Sequence, residues 1–249
     1  MEVTALFSRS HNAWPGRNSA VVFVPGCNFE CHYCNAHALV RNAELLPRLE
    51  LEKVFETIFA EKELRGVVVT GGEPLLQREA LVEFLDELKA EDVPVKLDTN
   101  GSDSDLLSYL IEEELVDYVA LDVKHKLNDY SYFKACGNRV DLYEVAQSIQ
   151  LLKHSDVDYE FRTTVVPKLH SFLDIQYIAR ALHGGKRYVL QQFSAKDGTL
   201  DKNWSTLPEM PYDKLVRWAS QLKGIQEVRV RTPKGDEIIE TRGQKIVLQ

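Results

Sequence analysis

No stretch of this sequence is apolar for the roughly 20 residues that a membrane-spanning helix requires, so no span is expected. Positive charge is in deficit: 30 Lys and Arg stand against 38 Asp and Glu, a net charge of −8. That balance, with no basic arm, argues against a general nucleic-acid-binding surface. Internal repeats and low-complexity tracts are absent, which argues against solenoids and disordered linkers. Cysteine is scarce, at four in 249 residues. With no secretory signal ahead of them, a disulfide framework is not expected. The composition, 44% hydrophobic, fits one sizeable domain of a soluble, cytoplasmic enzyme.

What is present is concentrated. Cys27, Cys31 and Cys34 fall in one short loop with CxxxCxxC spacing, just after the apolar run Ser19 to Pro25. Thiolates this close in sequence converge readily on one inorganic centre. A closed iron–sulfur cage takes four cysteines, and a closed structural zinc site takes four ligands. Here the local supply stops at three, and Cys136 is about a hundred residues away. A centre with one open position can bind something else. The competing reading is a Cys3His zinc site completed by His32 or His37. Cys136 reads as an ordinary semi-buried cysteine.

Two further segments share a plan of strand then polar loop. Gly66 to Pro74 is a β-branched run ending in Gly71-Gly72-Glu73-Pro74, with an amphipathic helical pattern from about Gln77. Strand ends of this kind are where α/β proteins put ligand contacts, and glycines let a ligand approach the backbone. Tight turns use the same residues. Val95 to Gly101 repeats the plan, with Asp98 able to grip a ribose or an ammonium group.

Together these residues resemble the radical S-adenosylmethionine (SAM) enzymes, and among them the activating enzymes of glycyl-radical proteins. The resemblance rests on the CxxxCxxC loop and the Gly-Gly-Glu-Pro turn. It extends to Pro15-Gly16-Arg17, Leu97 to Gly101, Ala120 to Lys124 and Glu160 to Pro167, and so covers residues 15–193. It implies a [4Fe-4S] cluster held by Cys27, Cys31 and Cys34, with SAM chelating the fourth iron. It also implies that Tyr33 lies against the adenine, with Asn35 beside the last cysteine. Gly71, Gly72 and Glu73 would meet the methionine amino group. Asp98, Asp122, Lys124 and Arg162 would surround the carboxylate, sulfonium and ribose. Where the formate-lyase activators carry a Pro-aromatic-His segment, this chain has Val189 to Phe193, which points to Gln191 or Gln192 as the substitute. The implied partners are a glycyl-radical enzyme, foremost anaerobic ribonucleotide reductase, and a flavodoxin or ferredoxin electron donor. A radical SAM enzyme acting on a deazapurine-type small molecule or a nucleic acid is the alternative.

Strand-like runs near 19–25, 66–70, 93–97, 116–123, 157–166 and 186–192 alternate with amphipathic stretches, the signature of repeated βα units. The expected fold is α/β: an incomplete (βα)6-type barrel of parallel strands with ligands at their carboxyl ends. One domain is expected over 1–249, with a C-terminal appendage over 205–249 packed against the open barrel: a helix near 211–223, a strand at 227–231, a turn, and a return strand near 238. The N-terminal segment Phe7 to Asn12 is a candidate cover for the site.

Overall fold

The structure, a computed structural model, describes residues 1–241. The end of the expected appendage, 242–249, lies outside the described residues. The strands are β1 (Ala5–Ser10), β2 (Ser19–Val24), β3 (Val67–Gly71), β4 (Val95–Thr99), β5 (Tyr118–Asp122), β6 (Asp158–Val165), β7 (Arg187–Gln192), β8 (Glu227–Thr232) and β9 (Gly235–Ile239). The helices are α1 (His37–Arg41), α2 (Leu51–Ala60), α3 (Arg78–Ala90), α4 (Ser104–Glu112), α5 (Asp129–Cys136), α6 (Leu142–His154), α7 (Phe172–Ala181) and α8 (Tyr212–Ala219). None of the described helices is long and apolar enough to cross a membrane.

The strands form one sheet in chain order, β1 to β9. β2 to β8 run parallel, and β1 and β9 pair antiparallel at the two ends. Among the described residues the sheet does not close on itself. It is the expected incomplete parallel barrel with one difference. The C-terminal strand does not sit as an appendage against the opening; it adds to β7 as a seventh parallel strand. The reason lies in its alternation. Val228 and Val230 are buried in the main apolar core with Leu215 and Ala219 of α8, while Arg231 of the opposite face finds an acid inside the barrel.

β2 and β3 read as near-continuous Val-rich runs because both faces are covered. The outer face joins the helices in one large core. Inside, a small apolar plug of Trp14, Val21 and Val68 fills one end, and above it the interior turns polar. Glu160, 1% exposed, accepts from Nη1 and Nη2 of the Arg231 guanidinium at 2.6 and 2.9 Å. Lys96, 1% exposed, donates to the Ala13 carbonyl at 2.7 Å and lies 2.9 Å from Asp98. The β1–β2 connection is thereby tied to β4 through the barrel.

Burial alone would raise the Glu160 pKa, but hydrogen bonds and charge from Arg231, aided by Lys96 and Arg162, bring it down to about 2. Its contribution to stability is therefore full above its ordinary value near 4.5 and is lost as pH falls from there through about 2. Arg231→Met strands a buried carboxylate. It is expected to cost about 3–5 kcal/mol, seen as a lower midpoint in denaturant unfolding at pH 7, with a smaller further loss on acidification than in the unaltered protein.

Candidate functional site

The cysteine loop follows β2 and has no regular structure of its own, so neighbouring elements must satisfy its backbone. Gly26 donates to the Leu39 carbonyl of α1 at 2.8 Å, and its carbonyl accepts from Glu73 at 2.7 Å. From the C-terminal end of α5, the Cys136 and Ala135 carbonyls accept from Glu30 (2.9 Å) and His32 (3.4 Å). On another side, Leu200 and Asp201 donate to the carbonyls of Cys34 (2.9 Å) and His32 (3.0 Å).

The two glycines of the next loop serve this arrangement directly. Gly71 has φ +123°, and a Cβ there would lie 2.5 Å from the Val24 carbonyl oxygen. A Cβ on Gly72 would lie 1.8 Å from the Gly26 oxygen. Side chains are thus excluded first by the neighbouring chain, a sharper reason than ligand approach. The buried Glu73 carboxylate accepts from Leu75 N, Thr99 Oγ1 and Asn100 N at 3.1, 2.7 and 2.7 Å, joining the loops after β3 and β4. Burial pushes its pKa up to about 7.

Every residue that the resemblance assigns to the cluster or to SAM lines one cavity of about 540 Å³ at the carboxyl ends of the strands. Cys27, Cys31 and Cys34 share it with Tyr33, Asn35, Gly71, Gly72, Glu73, Asp98, Asp122, Lys124, Arg162, Gln191 and Gln192. Asp122 lies opposite Arg162 in the β5–β6 register, and Arg162 donates to Asp122 at 2.6 Å and to Asp98 at 3.3 Å. Lys124 donates to Asp122 at 2.9 Å. Burial opposes the charged Asp122, but Arg162 and Lys124 outweigh it and hold this carboxyl far below the usual range. Lys124 is fixed from its own backbone: its N–H donates to Tyr132 Oη at 3.3 Å and its carbonyl meets His170 Nε2 at 2.9 Å. Burial keeps His170 neutral, its pKa brought down to about 3. Gln192 donates its amide to the Met210 carbonyl at 2.7 Å.

The thiols differ. Burial pushes Cys27 up to about 12 and raises Cys34. Cys31 is lowered, chiefly by a hydrogen bond from Cys136. Lys124 favours the thiolate of all three loop cysteines. Cys136 is fully buried, against the semi-buried position expected, and packs behind the loop without lining the cavity. Its carbonyl and thiol both face the loop, a proximity hidden by its distance in sequence. His32 stacks on Trp204 at 5.6 Å, and neither it nor His37 lines the cavity.

Of the segment Phe7 to Asn12 expected to cover the site, Asn12 lines the cavity. Ala13 of the β1–β2 connection, and Arg231, Thr232 and Pro233 from the end of β8 and the turn after it, were not anticipated. The cavity is therefore walled by both edges of the open sheet. Asn100, whose Nδ2 lies 2.9 Å from Asn28 and 4.0 Å from Cys27 Sγ, also escaped notice, although the Thr99-Asn100-Gly101 turn was the available signal.

Residues 21–172 match the Radical SAM superfamily. The chain belongs to that superfamily. Radical SAM enzymes use a [4Fe-4S] cluster and SAM, and these are the cofactors of this enzyme. A relative from Methanocaldococcus jannaschii, named for glycyl-radical enzyme activation, is 36% identical over 241 residues, covering 94% of this chain and 97% of its own. A 7-carboxy-7-deazaguanine synthase from Hyperthermus butylicus is 35% identical over 103 residues, 41% of this chain and 43% of its own. Among solved structures, TYW1 with a lysine–pyruvate adduct superposes with a TM-score of 0.62 at 14% identity, over 93% of this chain and 83% of that one, a likeness of fold.

The site fits the radical SAM cofactors: three thiols open into one cavity, and the buried Tyr33 hydroxyl beside them has no hydrogen-bond partner. Gly72→Ala is expected to displace the cysteine loop, because backbone atoms cannot yield to a Cβ at 1.8 Å. It should cost about 1–3 kcal/mol in unfolding free energy and lower the iron retained after anaerobic reconstitution.

Proposed function

We propose that this radical SAM enzyme is an activase that generates a glycyl radical on a partner enzyme, foremost an anaerobic ribonucleotide reductase. The observation that carries the reading is the cavity itself: Cys27, Cys31 and Cys34 are the cysteines that open into it, so a cubane held there keeps one iron for SAM. The activase assignment draws on the likeness to the M. jannaschii protein over nearly the full length of both chains. Bound there, the cluster and SAM supply a reducing electron and, on carbon–sulfur cleavage, a 5′-deoxyadenosyl radical able to take a hydrogen atom from a glycine.

The chain's own residues supply placement and electrostatics. Cys27, Cys31 and Cys34 hold the cluster, with Lys124 favouring their thiolates. Tyr33 would lie against the adenine, and Asn35 follows the last ligand. The backbone of Gly71, Gly72 and Glu73 would receive the methionine amino group. Lys124 and Arg162 offer charge to the carboxylate, while Asp98 and Asp122 tolerate the sulfonium and ribose. Gln192, oriented by the Met210 carbonyl, stands in for the histidine of the formate-lyase activators. The open sheet, with cavity walls from both edges, suits a substrate that is itself a protein loop. This reading takes the chain as one catalytic domain working in the cytoplasm with a flavodoxin or ferredoxin as donor. The partial match to deazaguanine synthase makes a small-molecule substrate the second reading.

Cys31→Ala is expected to abolish cluster assembly and SAM cleavage, because two thiolates do not retain a cubane. Cys136→Ser is expected to keep both; iron analysis and methionine release measure the pair. The deciding experiment is anaerobic electron paramagnetic resonance of reconstituted, reduced protein mixed with SAM and the anaerobic ribonucleotide reductase from the same cell. A glycine-centred doublet that requires SAM is the expected result. A reduced-cluster signal without that doublet would overturn the partner and favour the small-molecule reading.

A further inference from the structure

The end of α5 grips the cysteine loop on both sides of Cys31. The Asn28 carbonyl accepts from Asn138 Nδ2 at 2.7 Å, while Glu30 and His32 donate their N–H groups to the carbonyls of Cys136 and Ala135 at 2.9 and 3.4 Å. Gly137 ends the helix with φ +73°, and a Cβ there would lie 2.7 Å from the Glu30 oxygen. Residues 28, 30 and 32 thus give backbone groups to this clasp, and Cys31 lies between them. Within the clasp the fully buried Cys136 thiol is hydrogen-bonded to the Cys31 sulfur.

The three loop sulfurs do not receive the same donors. Cys27 Sγ accepts from the Phe29 N–H at 3.4 Å and lies 4.0 Å from Asn100 Nδ2. Cys34 takes a backbone hydrogen bond from Ala36. Cys31 has a thiol from a distant part of the chain. A cysteine that ligates iron has given up its proton, so the hydrogen shared by this pair belongs to Cys136. Such a bond draws negative charge from the ligand sulfur. A reduced cluster carries one electron more than an oxidised one and is stabilised more by it. A thiol is a weak donor, but Cys136 and Cys31 are 0% and 6% exposed, so water hardly competes for the bond.

We infer that Cys136 is a positioning residue that acts on the cluster through Cys31: its S–H donates to the Cys31 sulfur and raises the reduction potential of the cluster. The inference rests on the assignment of Cys31 as a cluster ligand. Its consequence is easier entry of the one electron that SAM cleavage consumes. Cys136 itself makes no bond to iron.

The test compares Cys136→Ala, which deletes the donor, with Cys136→Ser, which keeps one. Each protein is reconstituted anaerobically and its iron and sulfide are counted. The midpoint potential is then measured without SAM, by a mediated titration followed by electron paramagnetic resonance. Cys136→Ala is expected to hold the same iron and to shift the equilibrium against the reduced cluster about threefold, a midpoint about 30 mV more negative for a one-electron couple. Cys136→Ser should restore most of that shift. A merely structural role would change iron content or unfolding temperature and leave the potential of the remaining clusters where it was. Equal midpoints for the alanine variant and the unaltered protein, or a serine variant that behaves as the alanine one, would overturn the proposal. If Cys136→Ala retains no iron, Cys136→Val, which fills the space without a donor, takes its place. Loss of iron from both, with retention in the serine variant, would make the bond one of cluster retention and would also overturn the proposal. Absence of a cluster signal from the unaltered protein would instead overturn the ligand assignment on which the inference rests.

Discussion

Backbone hydrogen bonding of the cysteine loop is the constraint on which the rest of the structure turns. A loop that must present three thiols to a cavity cannot spend its backbone groups on helix or sheet ladders, yet buried peptide groups left unpaired are costly. The solution draws on four separate parts of the chain: α1, the glycine turn after β3, the last carbonyls of α5, and the segment around Leu200 and Asp201. Two of these uses are economical in the same way. The end of α5 leaves carbonyls without intrahelical partners, and the loop supplies the missing donors. The glycine turn lets two backbones pass at a distance no side chain would permit.

The barrel interior answers a second requirement, that charge be kept near the reacting groups without unfolding the protein. Lys96, Asp98, Arg162, Asp122 and Lys124 form a continuous alternating series leading up to the thiols. Glu160, Arg231 and Asp236 form another below β8. Burial penalises each charge taken singly, and the alternation offsets that penalty locally. Lys124 couples the series to the cysteines, since it both neutralises Asp122 and favours the thiolates. Its position is held by Tyr132 and by a neutral His170, groups whose protonation does not change near physiological pH. Electrostatics at the cavity are thus set by the fold before any ligand arrives, the condition for charge stabilisation without reorganisation.

Much of this was legible in the residues. The CxxxCxxC loop, Gly71 to Pro74 and the strand-end Asp98, Asp122, Lys124 and Arg162 declare a shared site, because α/β strands deliver their C-terminal residues to one end. The Val-rich runs and their spacing declare parallel strands. Less legible was the place of β8: its alternating Val and Arg read as a strand of an appendage packed against the open barrel, since nothing local reveals that Arg231 has a buried acid 71 positions earlier in the chain. Cys136 was opaque for the same reason, as sequence distance carries no information about what packs behind a loop. Ala13 and Pro233 could not be assigned to the cavity until the two sheet edges were in place.

By itself the sequence determined which atoms are available for chemistry: three clustered thiols, a pair of glycines at a strand end, and charges at strand ends. These follow from local spacing and from the two-residue period of strands. Tertiary structure alone decided which charges pair, which thiol stands behind the loop, and which residues of the sheet edges wall the cavity. Those outcomes depend on sheet register and on contacts between segments far apart in the chain, where the free energy of burying a charge is settled by a partner that no local pattern names.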